Sequence, residues 1–283
     1  GGELKGDNTK LGKNTSTLNI QNESKGISGG KVTIQDDHAT NRVTINNLAQ
    51  DGTKAAGEIV QGAKVGTSAE QPFTLTINNG TSDALGKWNG KVTGSTAENT
   101  KLIINNNHAD SEWSGEIVGG KAATEVNNYG TMKTGKIGGG DGGLTINNHE
   151  SGKIESAVES SGALTITNNG KIEGTITASG VTDITNNGTI SAGVTLSGTN
   201  ASSIANNGKI DAEVKLGGGT AATESNFAHL QNAGGATIKK VNFTESYARI
   251  DNYGTIGSET SSETAIESSA DKVGQIINNH STG

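Results

Sequence analysis

Three stretches of sequence decide the fold: ITNNGKIEGTITASG at 166–180, ITNNGTISAGVTLSG at 184–198 and IANNGKIDAEVKLGG at 204–218. Within each, apolar or small residues alternate with polar ones. This period of two indicates strands that bury one face. The helical spacing of i, i+3 and i+4 is absent, and β-branched residues and glycine are poor helix formers. The stretches therefore predict repeated β-strands and not a helical repeat.

The same signature, an apolar residue two positions before an asparagine, recurs along the whole chain. The aligned asparagines are Asn22, Asn47, Asn79, Asn106, Asn128, Asn148, Asn168, Asn186, Asn206, Asn232, Asn252 and Asn279. Their spacing is roughly 18–32 residues, and one such coil cannot bury its own apolar face, whereas stacked coils pair strand on strand in parallel. We predict an all-β fold, a right-handed parallel β-helix of about 12 coils. It is expected to form one domain over residues 1–283.

Each aligned asparagine is expected to point inward at one corner of the rod. Its amide carries both donors and acceptors, so stacked asparagines can bond to one another in a ladder. The glycine two residues later is predicted to adopt a positive φ at that corner. These glycines are Gly130, Gly170, Gly188, Gly208, Gly234 and Gly254.

Composition excludes several classes of protein. The chain has no cysteine, which excludes a disulfide framework and a thiolate metal site. No apolar run approaches the roughly 18 residues that a membrane-spanning helix needs. The net charge of −7 argues against nucleic acid as a partner. We also expect no cofactor.

The motifs INNG, TITNNGKI, DITNNGTI and DNYGTI resemble the passenger repeats of bacterial autotransporters, the type V secreted adhesins and vacuolating-toxin-like proteins. The resemblance implies an outer-membrane or secreted location and a chain that is a fragment of a longer passenger. It implies a role as an adhesin or as the rigid stalk of one. The expected partners are a host-cell surface protein or glycan, or another rod. Because that family supports several activities on one scaffold, the resemblance does not specify the ligand.

A Gly-x-apolar triplet follows most of the aligned asparagines, closely in the regular half 151–283 and later in the loop-rich half 1–150. We interpret the extra residues as insertions at one corner, namely 48–56, 80–89, 107–114, 129–134 and 149–151. Loops on one edge of a solenoid commonly form its binding surface. The predicted partner-binding patch comprises Lys54, Asp83, Trp88, Asp110, Glu112 and Trp113. Alternatively, the two tryptophans cover the core at the base of two loops.

No catalytic residues are predicted, and we expect the protein not to be an enzyme. Asp211 and Glu213 lie on alternate positions of one strand, about 7 Å apart, as in an inverting glycosidase. However, Lys209 and Lys215 flank them, which favours an ion-pair ladder. The alternative function is a polysaccharide-processing enzyme of the tailspike or pectate-lyase type. Such sites need an aromatic-lined groove with clustered acids, and only 3% of this chain is aromatic.

No metal site is predicted either. Asp36-Asp37-His38 has no second ligand cluster at a recognisable spacing, and GGGDGG at 138–143 occurs once, as expected of a glycine-rich turn. The remaining histidines near the asparagine corner, His108, His149 and His280, are interpreted as surface residues. Outward threonines such as Thr76, Thr165 and Thr175 raise ice binding as a third function, but charged residues interrupt their rows.

Overall fold

The computed structural model describes residues 9–11, 17–22, 31–36, 42–51, 56–64, 73–133, 135–197, 202–217, 227–245, 247–257, 263–268 and 274–280. Every element in these ranges is a β-strand. The strands, in chain order, are β1 (Thr9–Leu11), β2 (Thr17–Asn22), β3 (Lys31–Asp36), β4 (Arg42–Asn47), β5 (Glu58–Lys64), β6 (Phe73–Asn79), β7 (Lys87–Trp88), β8 (Val92–Thr93), β9 (Thr100–Asn106), β10 (Glu112–Trp113), β11 (Ile117–Val118), β12 (Ala123–Asn128), β13 (Thr131–Met132), β14 (Lys136–Gly139), β15 (Leu144–Asn148), β16 (Lys153–Ile154), β17 (Ala157–Ser160), β18 (Leu164–Asn168), β19 (Lys171–Ile172), β20 (Ile176–Ala178), β21 (Thr182–Asn186), β22 (Thr189–Ile190), β23 (Val194–Leu196), β24 (Ser203–Asn206), β25 (Lys209–Leu216), β26 (Ala228–Asn232), β27 (Thr237–Phe243), β28 (Ala248–Asn252), β29 (Thr255–Ile256), β30 (Ile266–Ser268) and β31 (Ile276–Asn279).

The strands that end in the aligned asparagines form one sheet, which we call the ladder sheet. Among the described residues it has 12 strands in the order β2-β4-β6-β9-β12-β15-β18-β21-β24-β26-β28-β31. Neighbouring strands are parallel and in register, so that Ile146 lies beside Ile166 and Asn148 beside Asn168. This arrangement confirms the predicted parallel β-helix.

A second sheet completes each coil with two parallel series of strands. The first series includes β7, β10, β13, β16, β19 and β22, and the second includes β8, β11, β14, β17, β20 and β23. Strand β25 pairs with both β22 and β23, because here the two strands of a coil run together as one. A regular coil is therefore three strands, with the asparagine corner between the first two.

The core is a continuous column of inward side chains from every face. In one coil Leu164, Ile166, Ile172, Ile176 and Ala178 are all fully buried. Burying a large aliphatic side chain contributes about 1.5–3 kcal/mol relative to leaving it exposed. Because each coil adds its own set to the same column, stability accumulates along the rod.

The strand register corrects the predicted position of the insertions. Val92 pairs with Ile117, and this column continues through Ile137 and Val158 to Ile176. The triplets ending in Val92, Ile117 and Ile137 therefore lie past the first strand of the second sheet, and not at the asparagine corner. The prediction that all insertions leave at one corner is wrong, because Gly-x-apolar occurs at both ends of that strand. Two loops that do lie at the asparagine corner are 80–86 and 107–111, which we call the corner loops.

The glycines that follow the ladder asparagines also differ from expectation. Among the described residues, glycines with positive φ are Gly80, Gly135, Gly143, Gly235, Gly257 and Gly274, and the six corner glycines are not among them. At Gly188 a Cβ would instead overlap the carbonyl oxygen of Gly170 in the preceding coil. A Cβ at Gly130, Gly170, Gly208 or Gly254 would likewise overlap a backbone oxygen, so these positions require glycine because neighbouring backbones approach too closely for a side chain.

Candidate binding groove at the asparagine corner

The aligned asparagines form a continuous hydrogen-bonded ladder inside the asparagine corner. From Asn47 to Asn252, each Nδ2 donates to the Oδ1 of the asparagine in the next coil, at 2.7–2.9 Å. The side chains of Asn47 to Asn252 are buried, and the second N–H of most donates to a backbone carbonyl, as from Asn186 to Lys209 O at 3.1 Å. Asn279, the last acceptor of the ladder, is exposed, so the predicted burial is wrong for this residue. The side chain of Asn22 lies outside the described residues. The ladder fixes the position of the corner in every coil that it joins.

A second ladder, which we call the outer ladder, lies on the outer face of the ladder sheet. Its members precede by one residue the asparagines of the buried ladder, which we call the inner ladder. The members of the outer ladder are Asn46, Asn78, Asn105, Asn127 and Asn147. From Asn78 to Asn147, each Nδ2 donates to the Oδ1 of the ladder member in the preceding coil, at 2.7–2.8 Å. These half-buried amides were not singled out by sequence reasoning, although five Asn-Asn pairs in the first half of the chain were the available signal.

Tyr129 and His149 lie one residue after the ladder asparagines of adjacent coils, on the outside of the corner. Their rings stack with centroids 3.7 Å apart and an interplanar angle of 6°. Their backbones are fixed by hydrogen bonds from Tyr129 N to Asn106 O and from His149 N to Asn128 O, both 2.9 Å. Tyr129 is 38% exposed and His149 is half-buried. The interpretation of His149 as a surface residue therefore did not include its stacking on Tyr129.

A groove, which we call the amide groove, runs between the outer ladder and this aromatic pair. It has a volume of about 430 Å³ and is lined by Asn105, Asn107, Asn127, Tyr129, Asn147, His149, Thr167 and Asn169. A second depression of about 540 Å³ adjoins it and is lined by Ser82, Asn107, His108, Ala109, Tyr129 and Ser151. Tyr129 and Asn107 belong to both. None of these lining residues is a lysine, arginine, aspartate or glutamate.

The corner loops form the wall of the second depression. They lie side by side, because Gly86 N donates to Ser111 Oγ at 2.8 Å and Asn107 Nδ2 to Gly80 O at 3.3 Å. Within the first loop, the Thr81 hydroxyl accepts the backbone N–H of Ala84 at 3.1 Å. Such side chain-to-backbone bonds hold a loop in a defined turn.

The predicted partner-binding patch is not assembled as proposed. Trp88 and Trp113 are stacked, but they are 0% and 1% exposed. They occupy the inward position of β7 and β10, where the next coil has Met132. Their predicted place on a surface patch is therefore wrong, and the alternative that they cover the core is correct.

The other members of that patch lie on different parts of the rod, two on the corner loops and one on the second sheet. Asp83 and Asp110 are exposed on the two corner loops, whereas Lys54 lies outside the described residues. Glu112 lies on the outer face of the second sheet, where its carboxylate contacts Lys133 at 2.8 Å and Lys87 at 4.0 Å. The hydrogen bond from Lys133 holds the pKa of Glu112 below its usual value despite partial desolvation.

The acidic residues considered for catalysis are ion-paired. Asp211 contacts Lys209 at 2.8 Å, and Glu213 contacts Lys240 at 3.7 Å and Lys215 at 3.9 Å. This is the arrangement that the ion-pair interpretation predicts. Asp37 and His38 lie outside the described residues, as does the side chain of Asp36. In the part of the chain that the structure describes, no group of three or more His, Cys, Asp or Glu could hold a metal ion.

A cluster of charged residues around Asp251 lies further along the ladder sheet, on strands β26, β28 and β31. Asp251 occupies the outer-ladder position but is only 6% exposed, and it is bonded to Arg249 at 2.9 Å, His229 at 2.8 Å and Asn278 at 2.7 Å. Burial alone would raise the pKa of Asp251, but these hydrogen bonds outweigh it and hold the pKa far below its usual range. Beside this site Tyr253 and His280 stack at 4.1 Å.

The chain matches no known protein family, no curated protein and no solved structure. Within the described ranges, no helix is long and apolar enough to cross a bilayer. The fold and the groove therefore define the class of protein by themselves. It is a parallel β-helix with an uncharged, amide-lined groove on its surface.

Proposed function

We propose that this chain is a non-enzymatic, extracellular binding module, displayed on a bacterial surface or secreted, which acts as an adhesin or as the stalk of one. The observation that carries this proposal is the amide groove. The side chains of Asn105, Asn127 and Asn147 are held by the outer ladder before any ligand arrives. Groups fixed in this way lose little conformational entropy on binding, which favours recognition.

The rod geometry supports a role at a surface. With strands spaced by about 4.8 Å, the ladder sheet extends on the order of 50 Å. A rod of that length holds the groove away from whatever anchors it. The repeat motifs that resemble autotransporter passengers support the same location. The partner is a host-cell surface protein or glycan, or another copy of the rod.

The surroundings of the carboxylates favour binding over hydrolysis. A glycosidase needs two carboxyl groups facing one bond. The amide groove has none among its lining residues, and Asp211 and Glu213 are paired with lysines. These pairings weaken the alternative of a polysaccharide-processing enzyme.

The test of adhesion uses fluorescently labelled chain on a panel of animal cell lines and on immobilised copies of the chain. We expect saturable binding to at least one surface. Tyr129→Ala should reduce it at least fivefold, whereas Tyr253→Ala, which removes the equivalent stacked tyrosine beside Asp251, should leave it unchanged. Absence of binding by chain whose circular dichroism shows an intact β-fold would overturn the proposal.

A second assay addresses the enzymatic alternative. The chain is incubated with neutral and acidic polysaccharides, and new reducing ends are measured. We expect none above the blank. Release of reducing ends that Asp211→Ala or Glu213→Ala abolishes would establish the enzyme in place of the adhesin.

A further inference from the structure

We propose that the amide groove beside Tyr129 binds a neutral glycan, an uncharged chain of pyranose rings. This inference rests on the proposed function and specifies its ligand. It is carried by three features of the groove. Its lining lacks lysine, arginine, aspartate and glutamate, its regularly spaced amides have unused hydrogen-bond donors and acceptors, and it contains an exposed aromatic ring.

The lining residues select against charged ligands. Recognition of sulfate, phosphate or carboxylate groups depends on arginine or lysine, and the amide groove has neither. Two other depressions on the rod differ, since one is lined by Lys136 and Glu159 and another by Lys209, Asp211 and Lys239. A third depression, lined by Asn252, Ile256, Ile266 and Ile277 among others, also lacks these charged residues but is largely aliphatic. The amide groove combines amide and hydroxyl groups with an aromatic ring, which suits a ligand whose polar groups are hydroxyls.

The outer ladder leaves hydrogen-bonding capacity facing the groove. An asparagine amide has two N–H donors and two acceptor lone pairs. Asn105 uses one N–H on Asn78 at 2.8 Å and accepts one from Asn127 at 2.8 Å. Each such amide retains a donor and an acceptor, and a sugar hydroxyl needs both. Asn127 differs, because its second N–H donates to Glu125 at 3.0 Å.

Tyr129 supplies a platform for the apolar face of a sugar ring. Aromatic rings are suited to sites where one side of the ligand is apolar and the other wet. Stacking on His149 fixes the orientation of the Tyr129 ring while leaving it 38% exposed. Because the ring is already positioned, little side-chain entropy is lost on binding.

The extent of the groove sets the size of the ligand. The lining residues Asn105, Asn127, Asn147 and Thr167 belong to four successive strands of the ladder sheet. Three strand spacings correspond to about 14 Å. The groove thus accommodates a short oligosaccharide and not a single monosaccharide, with the corner loops bordering one end through the adjoining depression.

The first experiment is a glycan array that carries neutral and acidic oligosaccharides, followed by titration of the ¹⁵N-labelled chain with the neutral hits and with heparin tetrasaccharide. We expect neutral glycans to bind and to shift the side-chain amide signals of Asn105 and Asn147. Tyr129→Ala should weaken the affinity about tenfold or more. Tyr253→Ala is the matched control and should change it by less than twofold.

A second variant keeps the fold while altering the groove. Asn147→Thr introduces the residue that the next coil has at the same position, Thr167, so the ladder sheet accommodates it. It should weaken binding of the same glycan severalfold. Binding of acidic glycans only, an array without neutral hits, or equal losses in Tyr129→Ala and Tyr253→Ala would each overturn the inference.

Treatment of the cells separates this inference from the proposed function. Periodate oxidation destroys the vicinal diols of surface glycans, and it should abolish adhesion if the ligand is a glycan. Adhesion that survives periodate but not protease would reject the glycan while leaving the adhesin intact. Array binding without adhesion to any cell or copy of the chain would reject adhesion and retain the glycan site.

Discussion

The indole rings of Trp88 and Trp113 stack inside the rod, with centroids 5.1 Å apart and an interplanar angle of 12°. The indole N–H of Trp88 donates to Gly90 O at 2.7 Å, and that of Trp113 to Gly115 O at 2.9 Å. Each ring therefore has its polar atom satisfied without contact with water. The two tryptophans fill the core of adjacent coils, and the exposed aromatic of this region is Tyr129.

Truncation of the buried tryptophan should be far more costly than truncation of the exposed tyrosine. We expect Trp113→Ala to lower the free energy of unfolding by about 3–5 kcal/mol, because it leaves a large cavity. Tyr129→Ala should cost less than about 1 kcal/mol, as an exposed residue. Urea unfolding followed by circular dichroism measures both. Similar costs for the two variants would contradict the assigned burial.

The success of sequence reasoning differed between parts of the rod, for a physical reason. The inner ladder could be predicted because an inward amide at a corner must find partners, and Asn186 and its counterparts recur in every coil. The register of the first half was misassigned because Gly-x-apolar occurs at both ends of a two-residue strand. The stacking of Tyr129 on His149 was not predicted because their position faces solvent and varies between coils. Two aromatic rings at one position in adjacent coils were the usable signal.

The buried Asn186 and the exposed Asn187 that follows it offer a matched pair of substitutions. Asn186→Leu should lower the free energy of unfolding by about 1–3 kcal/mol, because Asn168, Asn206 and the Lys209 carbonyl lose buried partners. Asn187→Leu, in the exposed column bonded to Asn169 and Asn207, should change it by about 0.5 kcal/mol or less. Urea midpoints of the two variants test the difference. A larger loss of stability in Asn187→Leu than in Asn186→Leu would contradict the assignment of Asn186 to the inner ladder.

Gly188 and Gly235 require glycine for different reasons, the first because a neighbouring backbone lies too close and the second because its φ is positive. Gly188→Ala should cost about 1–3 kcal/mol, since its Cβ would overlap the carbonyl of Gly170. Gly235 has φ +81° with open space around its Cβ position, so Gly235→Ala should cost about 1–2 kcal/mol through strain alone. Asparagine tolerates this conformation better than alanine. Gly235→Asn should therefore be more stable than Gly235→Ala in thermal unfolding, whereas Gly188→Asn should be no better than Gly188→Ala.

Asp251 should give the rod an acid-sensitive contribution to stability. Hydrogen bonds, from Arg249 above all, hold the pKa of Asp251 below its unfolded value of about 3.9. A carboxyl with a lowered folded pKa stabilises the native state above the unfolded pKa, and this contribution decreases as the pH falls towards the folded pKa. The contribution is therefore complete above about pH 5 and declines progressively below about pH 4.

The variant Asp251→Asn isolates this contribution, because it restores the amide that other coils have in the outer ladder. At pH 6 it should be less stable than the natural chain, since the charge-assisted bonds from Arg249 and His229 are weakened. Between pH 5 and pH 2 the difference in urea midpoint should shrink. Asp183→Asn is the control, because that exposed carboxylate accepts a hydrogen bond from the neutral Ser203 hydroxyl at 2.6 Å, and its difference should change less. A gap between Asp251→Asn and the natural chain that stays constant down to pH 2 would show that the Asp251 charge does not stabilise the fold.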